Sequence, residues 1–292
     1  MRRALLVASL LVGCGSTAPP VDHPTADARV GRWVSPARTF RTNLFWIDAP
    51  EGVVLVDTGF LPSDAEAAVA AAERATGKRV VLAVVLHANP DKFNGAHYLR
   101  ARGIEVVTSQ AVIDLVPHVH AIRHRAFASR YPGEYPDAPP ELEAFASETL
   151  EVAGTTLTLH ALGPGCSDAH VALEWEGHVF VGDLVANGHH AWLELGHVDA
   201  WRARLDEIAA LGPRYVHPGR GASGGPELLA AQRDYLDTVE AITREHEPTL
   251  PVDPARVDAV REAIEARYPD LGHAVFLRIG VPAVYRRLAE AS

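Results

Sequence analysis

Cysteine, positive charge and long apolar runs are all scarce in this chain of 292 residues. The two cysteines, Cys14 and Cys166, leave little scope for a disulfide framework, which needs several spaced cysteines. Lysine and arginine number 27 against 37 acidic residues, a net charge of −10. Nucleic-acid binding needs a basic face, so this balance argues against it. After residue 14, no segment approaches the roughly 20 consecutive apolar residues of a membrane-spanning helix.

What the chain has in quantity is apolar side chains and histidine. A hydrophobic content of 48% suits one large or two small globular domains with a real core. Fifteen histidines are suggestive of metal binding. The alternative is that most are surface residues in a chain rich in alanine and arginine, and it accounts for most of them.

The first residues have the pattern of a secretion signal. Arg2 and Arg3 precede a short apolar run from Ala4 to Val12, and the sequence Leu-Val-Gly-Cys that ends at Cys14 resembles a bacterial lipobox. The resemblance implies cleavage before Cys14, lipidation of its thiol, and a membrane-anchored protein of the bacterial cell envelope. Residues 15–28 then predict a flexible tether, rich in proline and polar residues. An ordinary signal peptide or a misassigned start are the alternatives.

The most informative stretch is Val80 to Gly95, VVLAVVLHANPDKFNG. Val80 to Leu86 predicts a fully buried strand, and a helix is expected from about Asn94 to Gly103. Between them stand the polar residues His87, Asn89, Asp91 and Lys92. Polar residues at the carboxyl end of a buried strand occupy the place where open α/β layers carry their sites.

Four other predicted strands also end in candidate site residues. These ends contain Asp57-Thr58-Gly59, Gly163-Pro164-Gly165-Cys166, Gly182-Asp183 and Pro218-Gly219-Arg220-Gly221. The strands ending at Asp57 and Asp183 hint at a weak internal duplication. The glycines from Gly219 to Gly225 lack the Gly-Lys-Ser/Thr ending of a phosphate-binding loop, so we assign them to a turn.

Patterns elsewhere predict the supporting structure. Strands at 42–48 and 53–57 form a hairpin, and Ser63 with Glu66 predicts a capping box for the next helix. Residues 117–148, rich in proline, are expected to be irregular, either as a mobile flap over the site or as a surface insertion with solvated charge. We assign no role to the histidines of that segment, His118, His120 and His124. Four later histidines are candidates for substitute metal ligands, namely His170, His189, His190 and His197. His189 and His190 follow the Asp183 strand and are placed to border the pocket. An exposed loop position is the favoured alternative for each of the four.

These segments, in this order, resemble the metallo-β-lactamase fold. Its signature loop reads His-x-His-x-Asp-His, and here the same frame reads His87-Ala-Asn89-Pro-Asp91-Lys92. The resemblance implies an α/β (four-layer α+β) αββα sandwich over residues 29–225, followed by a helical extension over 226–292. Asp57 and Gly59 would brace the metal loop.

The resemblance also assigns metal-ligand positions, and four of the seven are changed. The first zinc site corresponds to His87, Asn89 and Cys166, and the second to Asp91, Lys92, Asp183 and Arg220. Neither Lys92 nor Arg220 serves as a ligand at neutral pH. Their charges beside Asp91 and Asp183 predict ion pairs that replace the second metal.

The first site leaves alternatives open. His87, Cys166 and Asp183 offer three zinc ligands with an open position for water, and Asn89 is a weak fourth. If such a site were active, Asp91 would orient the water or act as base. Alternatively, His87 and Cys166 form a hydrogen bond in an inactive pocket, or Cys166 is an activated thiolate beside His87 or His170. The expected cofactor content is therefore none or one zinc ion.

Two functions follow as hypotheses. In the first, the chain is a divergent or inactive, metal-free hydrolase-like protein whose pocket, with Lys92 and Arg220, binds a small anionic molecule or a partner. In the second, it is a mononuclear zinc hydrolase of an ester, amide, lactam or thioester, using His87, Cys166 and Asp183. No nucleic-acid partner is expected, and membrane contact is expected only through the lipid at Cys14.

Overall fold

The computed structural model describes residues 22–291. The predicted signal peptide, its lipidation at Cys14 and most of the predicted tether therefore lie outside the described residues. The end of the tether contacts the folded chain, because Asp22 forms an antiparallel bridge with Arg32. No helix between residues 22 and 291 combines the length and apolarity needed to cross a bilayer.

The first sheet is built from the amino-terminal half. It has six strands in sequential spatial order. They are β1 (Val30–Val34), β2 (Asn43–Ala49), β3 (Gly52–Val56), β4 (Val80–Val84), β5 (Glu105–Thr108) and β6 (Glu143–Ala144). The first three are antiparallel, which confirms the predicted hairpin, and the connections from β3 to β6 are parallel. The polar loop after β4 thus lies at the carboxyl edge of parallel strands.

The second sheet has five strands in the order β11-β10-β9-β8-β7. They are β7 (Thr149–Val152), β8 (Thr155–Leu162), β9 (His170–Trp175), β10 (His178–Ala186) and β11 (Tyr215–Arg220). Strands β9 and β10 form a hairpin, and β10 then pairs in parallel with β11. The first sheet repeats this arrangement in β2, β3 and β4, as the weak sequence duplication predicted.

Helices cover the outer faces of both sheets. They are α1 (Pro62–Thr76), α2 (Pro90–Phe93), α3 (Ala96–Ala101), α4 (Gln110–Phe127), α5 (Val198–Ala210), α6 (Glu227–Glu245), α7 (Pro254–Arg267) and α8 (Leu277–Glu290). Helices α1, α3 and α4 pack on the first sheet, and α5 and α6 pack on the second. The predicted αββα sandwich is confirmed, and the carboxyl-terminal helices α7 and α8 pack against α6.

Two local predictions were wrong. Helix α4 runs through Pro117 and contains the three histidines that we expected in irregular chain. Its buried residues Val112, Val116 and His120 hold it against the fold, and this packing offsets the hydrogen bond that proline removes. Helix α1 begins one residue before Ser63, and its first turn is closed by Asp64, whose carboxylate accepts from the Leu61 N–H at 3.3 Å.

Candidate functional site

The loops that follow β3 and β4 meet β10 and β11 at one edge of the sandwich. Three carboxylates, Asp57, Asp91 and Asp183, converge there with Lys92 and Arg220. All five side chains are at most 8% exposed. The segments that the sequence predicted to share a site therefore do lie together.

Arg220, at the end of β11, bridges two of these carboxylates. Its Nη1 donates to Asp183 Oδ2 at 2.5 Å, and its Nη2 donates to Asp91 Oδ2 at 2.7 Å. Its Nε donates to the Phe40 carbonyl at 3.2 Å. Thr42 also donates to Asp91 Oδ2, at 2.8 Å. Charge-assisted hydrogen bonds from both terminal nitrogens, Nη1 and Nη2, thus hold the guanidinium in place.

Lys92 lies on the other side of the same carboxylates and is wholly buried. Its Nζ is 3.0 Å from Asp183 Oδ1, 3.4 Å from Asp91 Oδ2 and 3.7 Å from Asp57 Oδ2. The backbone of Lys92 is fixed as well, because its carbonyl accepts from both the N–H and the hydroxyl of Thr58. The Asp57-Thr58-Gly59 turn therefore positions the cation.

In this cluster, the cations stabilise the charged form of the carboxylates, and the carboxylates stabilise the charged form of Lys92. Burial alone would raise the pKa of Asp91 and Asp183, but Lys92 and Arg220 hold the pKa of both carboxyls below the usual range. Burial would likewise lower the pKa of Lys92, yet its three carboxylate neighbours raise it. Asp57 is different, because burial raises its pKa to about 7 and Lys92 offsets this only in part. Asp91, Lys92, Asp183 and Arg220 are all charged at neutral pH.

Glycine allows β11 to approach β10 at the cluster. A Cβ on Gly219 would lie 2.0 Å from Asp183 Oδ1. Gly182, with φ 54°, shifts the register of β10 just before Asp183. Strand β10 does not end at Asp183 as we expected but continues to Ala186.

A second group of side chains lies beside the ion pairs. His87, Cys166 and His170 are at most 2% exposed, and their ligand atoms lie within 4.8 Å of one another. Cys166 Sγ is 3.1 Å from His170 Nε2 and 4.0 Å from His87 Nε2. Of the two interpretations of His170, the exposed loop position was wrong, and the position of a substitute ligand beside Cys166 is the one that this geometry fits. The four-residue spacing from Cys166, with a strand beginning at His170, was the available signal.

The other predicted first-site residues have different partners. Asn89 contacts His87 Nε2 through its amide nitrogen at 3.2 Å, so its carbonyl is turned away from the imidazole. Asp183 Oδ2 lies 3.8 Å from His87 Nε2 but closer to Arg220. Burial raises the pKa of Cys166 well above its ordinary value and lowers that of His87 to about 4. Without a bound metal ion, burial therefore favours a neutral thiol and neutral imidazoles over a thiolate.

A cavity of about 280 Å³ opens over the ion pairs. Asn89, Asp91, Asp183 and Arg220 contribute its polar lining near the cluster. Its remaining lining is largely aromatic and apolar. It comes from the loops of the first sheet, from α4 and the residues that follow it, from the loop after β10, and from the start of α8 with the residues before it. These lining residues are Phe40, Phe60, Pro90, Ala126, Phe127, Trp192, Val275, Phe276 and Ile279, together with Arg123 and Arg130. A flap from residues 117–148 was one of the two expectations for that segment, and Arg123, Ala126, Phe127 and Arg130 of that segment line the cavity. The other lining residues were not predicted, because they are distant from one another in the chain.

The remaining histidines have local partners. His189 and His273 contact each other through Nδ1 atoms 3.1 Å apart, and His190 Nδ1 lies 3.0 Å from the Tyr235 hydroxyl. His190 is only 1% exposed, so the expectation of an exposed loop position was wrong for it too. His120 contacts the Pro136 carbonyl. None of these lies in the His87 cluster.

Comparison with known proteins agrees with this geometry. The sequence pattern of the Metallo-beta-lactamase superfamily matches residues 37–220, more than half of the chain. The chain therefore belongs to the metallo-β-lactamase superfamily, as the motifs predicted. No curated protein sequence matches it.

Solved structures show the same fold at low sequence identity. A metallo-beta-lactamase from Pontibacter korlensis is 20% identical, with a TM-score of 0.57 over 75% of this chain and 98% of that one. The metallo-beta-lactamase FIM-1 from Pseudomonas aeruginosa, in its mono-zinc form, is 18% identical with a TM-score of 0.54, covering 75% and 96% of the two chains. At such identities the likeness establishes the fold and leaves the activity open.

Proposed function

We propose that the cavity at the former second zinc site of this chain is not hydrolytic and binds a small organic anion. The observation that carries the proposal is the Arg220 guanidinium, which bridges Asp91 and Asp183 at 2.7 and 2.5 Å. Those two carboxylates correspond to the aspartate ligands of the second zinc site in the family. With Arg220 between them and Lys92 behind them, they have no free position for a metal ion.

The ligand's charge is met by a different cation from those we expected. Lys92 is fully buried and does not line the cavity, and Arg220 already donates to two carboxylates. Arg123 is paired with Glu194 and stacks on Trp192. Arg130 lines the cavity, its guanidinium lies 5.6 Å from the Phe127 ring centroid, and it forms no ion pair within residues 22–291. It is therefore the available partner for an anionic group.

The rest of the cavity suits an apolar body. Its aromatic lining and volume of about 280 Å³ favour a molecule of one or two rings or of similar aliphatic bulk. Phe40, Phe60 and Phe127 contact one another edge to face, with ring centroids 5.0 to 5.8 Å apart, and form a preformed wall. The proposed ligand thus combines an apolar body with one negative charge.

Two fluorescent probes test this assignment. 8-Anilinonaphthalene-1-sulfonate carries a charge that N-phenyl-1-naphthylamine lacks, while both have the same aromatic body. In Arg130→Gln, the dissociation constant of the sulfonate should rise about tenfold, which corresponds to one charge-assisted hydrogen bond, and that of the neutral probe should not change. Arg125→Gln, which alters an exposed arginine of α4 outside the cavity lining, is the matched control. An equal effect of both substitutions would contradict the proposal.

A second candidate is a single zinc ion at His87, Cys166 and His170. One thiol and two imidazoles are a suitable donor set, and their mutual distances fit a common ion. Zinc held there would supply Lewis-acid chemistry only with an open coordination position. None of the three residues lines the cavity, so this geometry favours a closed site over a hydrolytic one.

Metal analysis distinguishes the two cases. Protein purified in zinc without chelator should contain about one zinc per chain if this trio binds it, and Cys166→Ala should lose the ion. Hydrolysis of chromogenic esters and lactams that depends on zinc and disappears in Cys166→Ala would support the mononuclear hydrolase and contradict a purely binding function. Attachment to the cell envelope through Cys14 remains a prediction.

A further inference from the structure

A separate chain of hydrogen-bonded side chains runs through the second sheet. Ser223 Oγ lies 2.8 Å from His217 Nδ1, and His217 Nε2 lies 2.9 Å from His178 Nδ1. His178 Nε2 in turn lies 3.4 Å from Asp27 Oδ2. His217 belongs to β11 and His178 to β10, so neighbouring parallel strands hold the two rings together.

Hydrogen-bond chemistry fixes the direction of this chain. Arg29 keeps the pKa of Asp27 well below its ordinary value, so the carboxylate can only accept. His178 then carries its proton on Nε2 and accepts at Nδ1 from the Nε2–H of His217. His217 Nδ1 is left as an acceptor that faces the Ser223 hydroxyl. A serine, an imidazole base and an orienting acid are the elements of an activated nucleophile.

The sequence around Ser223 has a pattern that fits the same role. Gly221-Ala222-Ser223-Gly224-Gly225 reads Gly-x-Ser-x-Gly and joins a strand, β11, to a helix, α6. This is the local context in which such a motif presents a nucleophile. Gly224 pairs with Val216 through both backbone groups, at 2.8 and 3.2 Å, and fixes the loop. Within residues 22–291, the amides of Ala222 and Ser223 donate to no backbone carbonyl.

The packing around His217 holds its ring in position. It stacks on Phe180 with centroids 4.3 Å apart and contacts Phe45 at 5.1 Å. Its plane is within 9° of that of His178, as an in-plane hydrogen bond requires. Burial, with smaller effects of His178 and Arg32, lowers the pKa of His217 to about 3. The second imidazole, that of His178, is therefore important. When His178 takes the Nε2 proton of His217, the positive charge lies on His178, beside Asp27, and not on the buried His217.

We propose that Ser223 is the nucleophile of a second site, which acts on small activated esters. Ser223 Oγ would attack the ester carbonyl while its proton passes to His217 Nδ1 and the His217 Nε2 proton passes to His178. The leaving alcohol takes a proton back along the same path, and an acyl-serine forms. Water then attacks the acyl-serine by the same base and releases the acid. Ser223 is only partly exposed, so the acyl group should be small.

Diisopropyl fluorophosphate tests the nucleophile directly. Attack by Ser223 Oγ on phosphorus displaces fluoride, and the serine proton is taken by His217. Intact-mass and peptide mass spectrometry of the full chain should find one diisopropylphosphoryl group, on Ser223. Ser223→Ala should remain unlabelled, whereas Ser63→Ala, which removes an exposed serine without a histidine partner, should label as the wild type does.

The rate of labelling tests whether the hydrogen-bonded chain from Ser223 to Asp27 activates the serine. General-base assistance should make Ser223 react at least about 100-fold faster than the serine of a free peptide. Asp27→Asn should slow labelling about tenfold or more, with partial recovery in Asp27→Glu, and Asp22→Asn should not slow it. A wild-type chain that stays unlabelled, or labelling that persists in Ser223→Ala, would overturn the proposal.

Discussion

Lys92 is charged, wholly buried and surrounded by three carboxylates. An ammonium ion without partners would be very costly in such a place, and so would the carboxylates without a cation. In a dinuclear member of the family, zinc ions supply the positive charge. Here Lys92 and Arg220 supply it from fixed side chains, so the charge balance survives the loss of the metal ligands.

Removing the buried cation of Lys92 should therefore destabilise the fold strongly. We expect Lys92→Met to lower the free energy of unfolding by about 3–5 kcal/mol, because it leaves three buried carboxylates with one cation, Arg220, in place of two. Lys78→Met is the control. Its Nζ is 2.7 Å from Asp48, but the side chain is 35% exposed, so a loss of about 0–1 kcal/mol is expected. Urea titrations measure both, and equal losses would contradict the proposed role of Lys92.

The sequence allowed the ion pairs to be predicted, whereas it left the partner of Cys166 open between His87 and His170. Lys92 and Arg220 stand at fixed motif positions, so their proximity to Asp91 and Asp183 follows from the family's loop order. His170 matches no ligand position of the motif, and its burial depends on how β9 packs beside the loop after β4. That contact, seen as a bridge between His87 and His170, is a tertiary fact.

At the scale of elements, the loop after β4 depends on one close contact. A Cβ on Gly95 would lie 1.9 Å from the Thr58 carbonyl oxygen and 2.7 Å from the Ala65 Cβ. Gly95 thus lets the chain between α2 and α3 pack directly on the turn that holds Lys92.

Gly95→Ala should consequently destabilise the fold by about 3 kcal/mol, since the nearest atoms are backbone and cannot move alone. Gly163→Ala should cost far less, because its nearest neighbour is the flexible end of Arg204. Thermal or urea unfolding of both variants gives the comparison. A Gly95→Ala chain as stable as Gly163→Ala would show that the loop adjusts freely.

Helix α4 shows where element prediction failed. Five prolines between 117 and 140 favoured an irregular segment, yet the first of them lies inside an 18-residue helix. Local propensity was outweighed by packing that joins α4 to the loop around α2. The same packing places Ala126, Phe127 and Arg123 in the cavity wall. Because a helix was not predicted there, these three residues were not identified as part of the site.

For the whole molecule, buried titratable groups predict how stability depends on pH. Several histidines, His217 foremost, have pKa values lowered by burial, so the unfolded chain binds more protons than the folded one between about pH 4 and 6.5. Their contribution to stability is lost as pH falls through this window. Asp57 acts in the opposite sense, because its pKa of about 7 makes the folded chain bind the extra proton as pH falls from 7 towards 4.

Stability should therefore decrease between pH 7 and pH 5, with His217 alone contributing about 2 kcal/mol of the loss. Asp57→Asn removes the opposing contribution, so its loss over the same interval should be larger by about 2 kcal/mol. Asparagine keeps the carbonyl that accepts from the Leu86 N–H and tolerates the φ of 63° at this position. Urea unfolding midpoints at pH 7 and pH 5 measure the loss of stability in the wild type and in Asp57→Asn. A loss in Asp57→Asn no larger than that in the wild type would contradict the role assigned to Asp57.

The replacement of the second zinc by ion pairs is tested most directly by diffraction at the zinc absorption edge. Crystals of the wild type and of the double variant Lys92→His with Arg220→His, both grown in zinc, give anomalous maps of the cluster. We expect no anomalous peak between Asp91 and Asp183 in the wild type, and one in the double variant, whose ligands match the family's second site. A peak between those two carboxylates in the wild type would contradict the account.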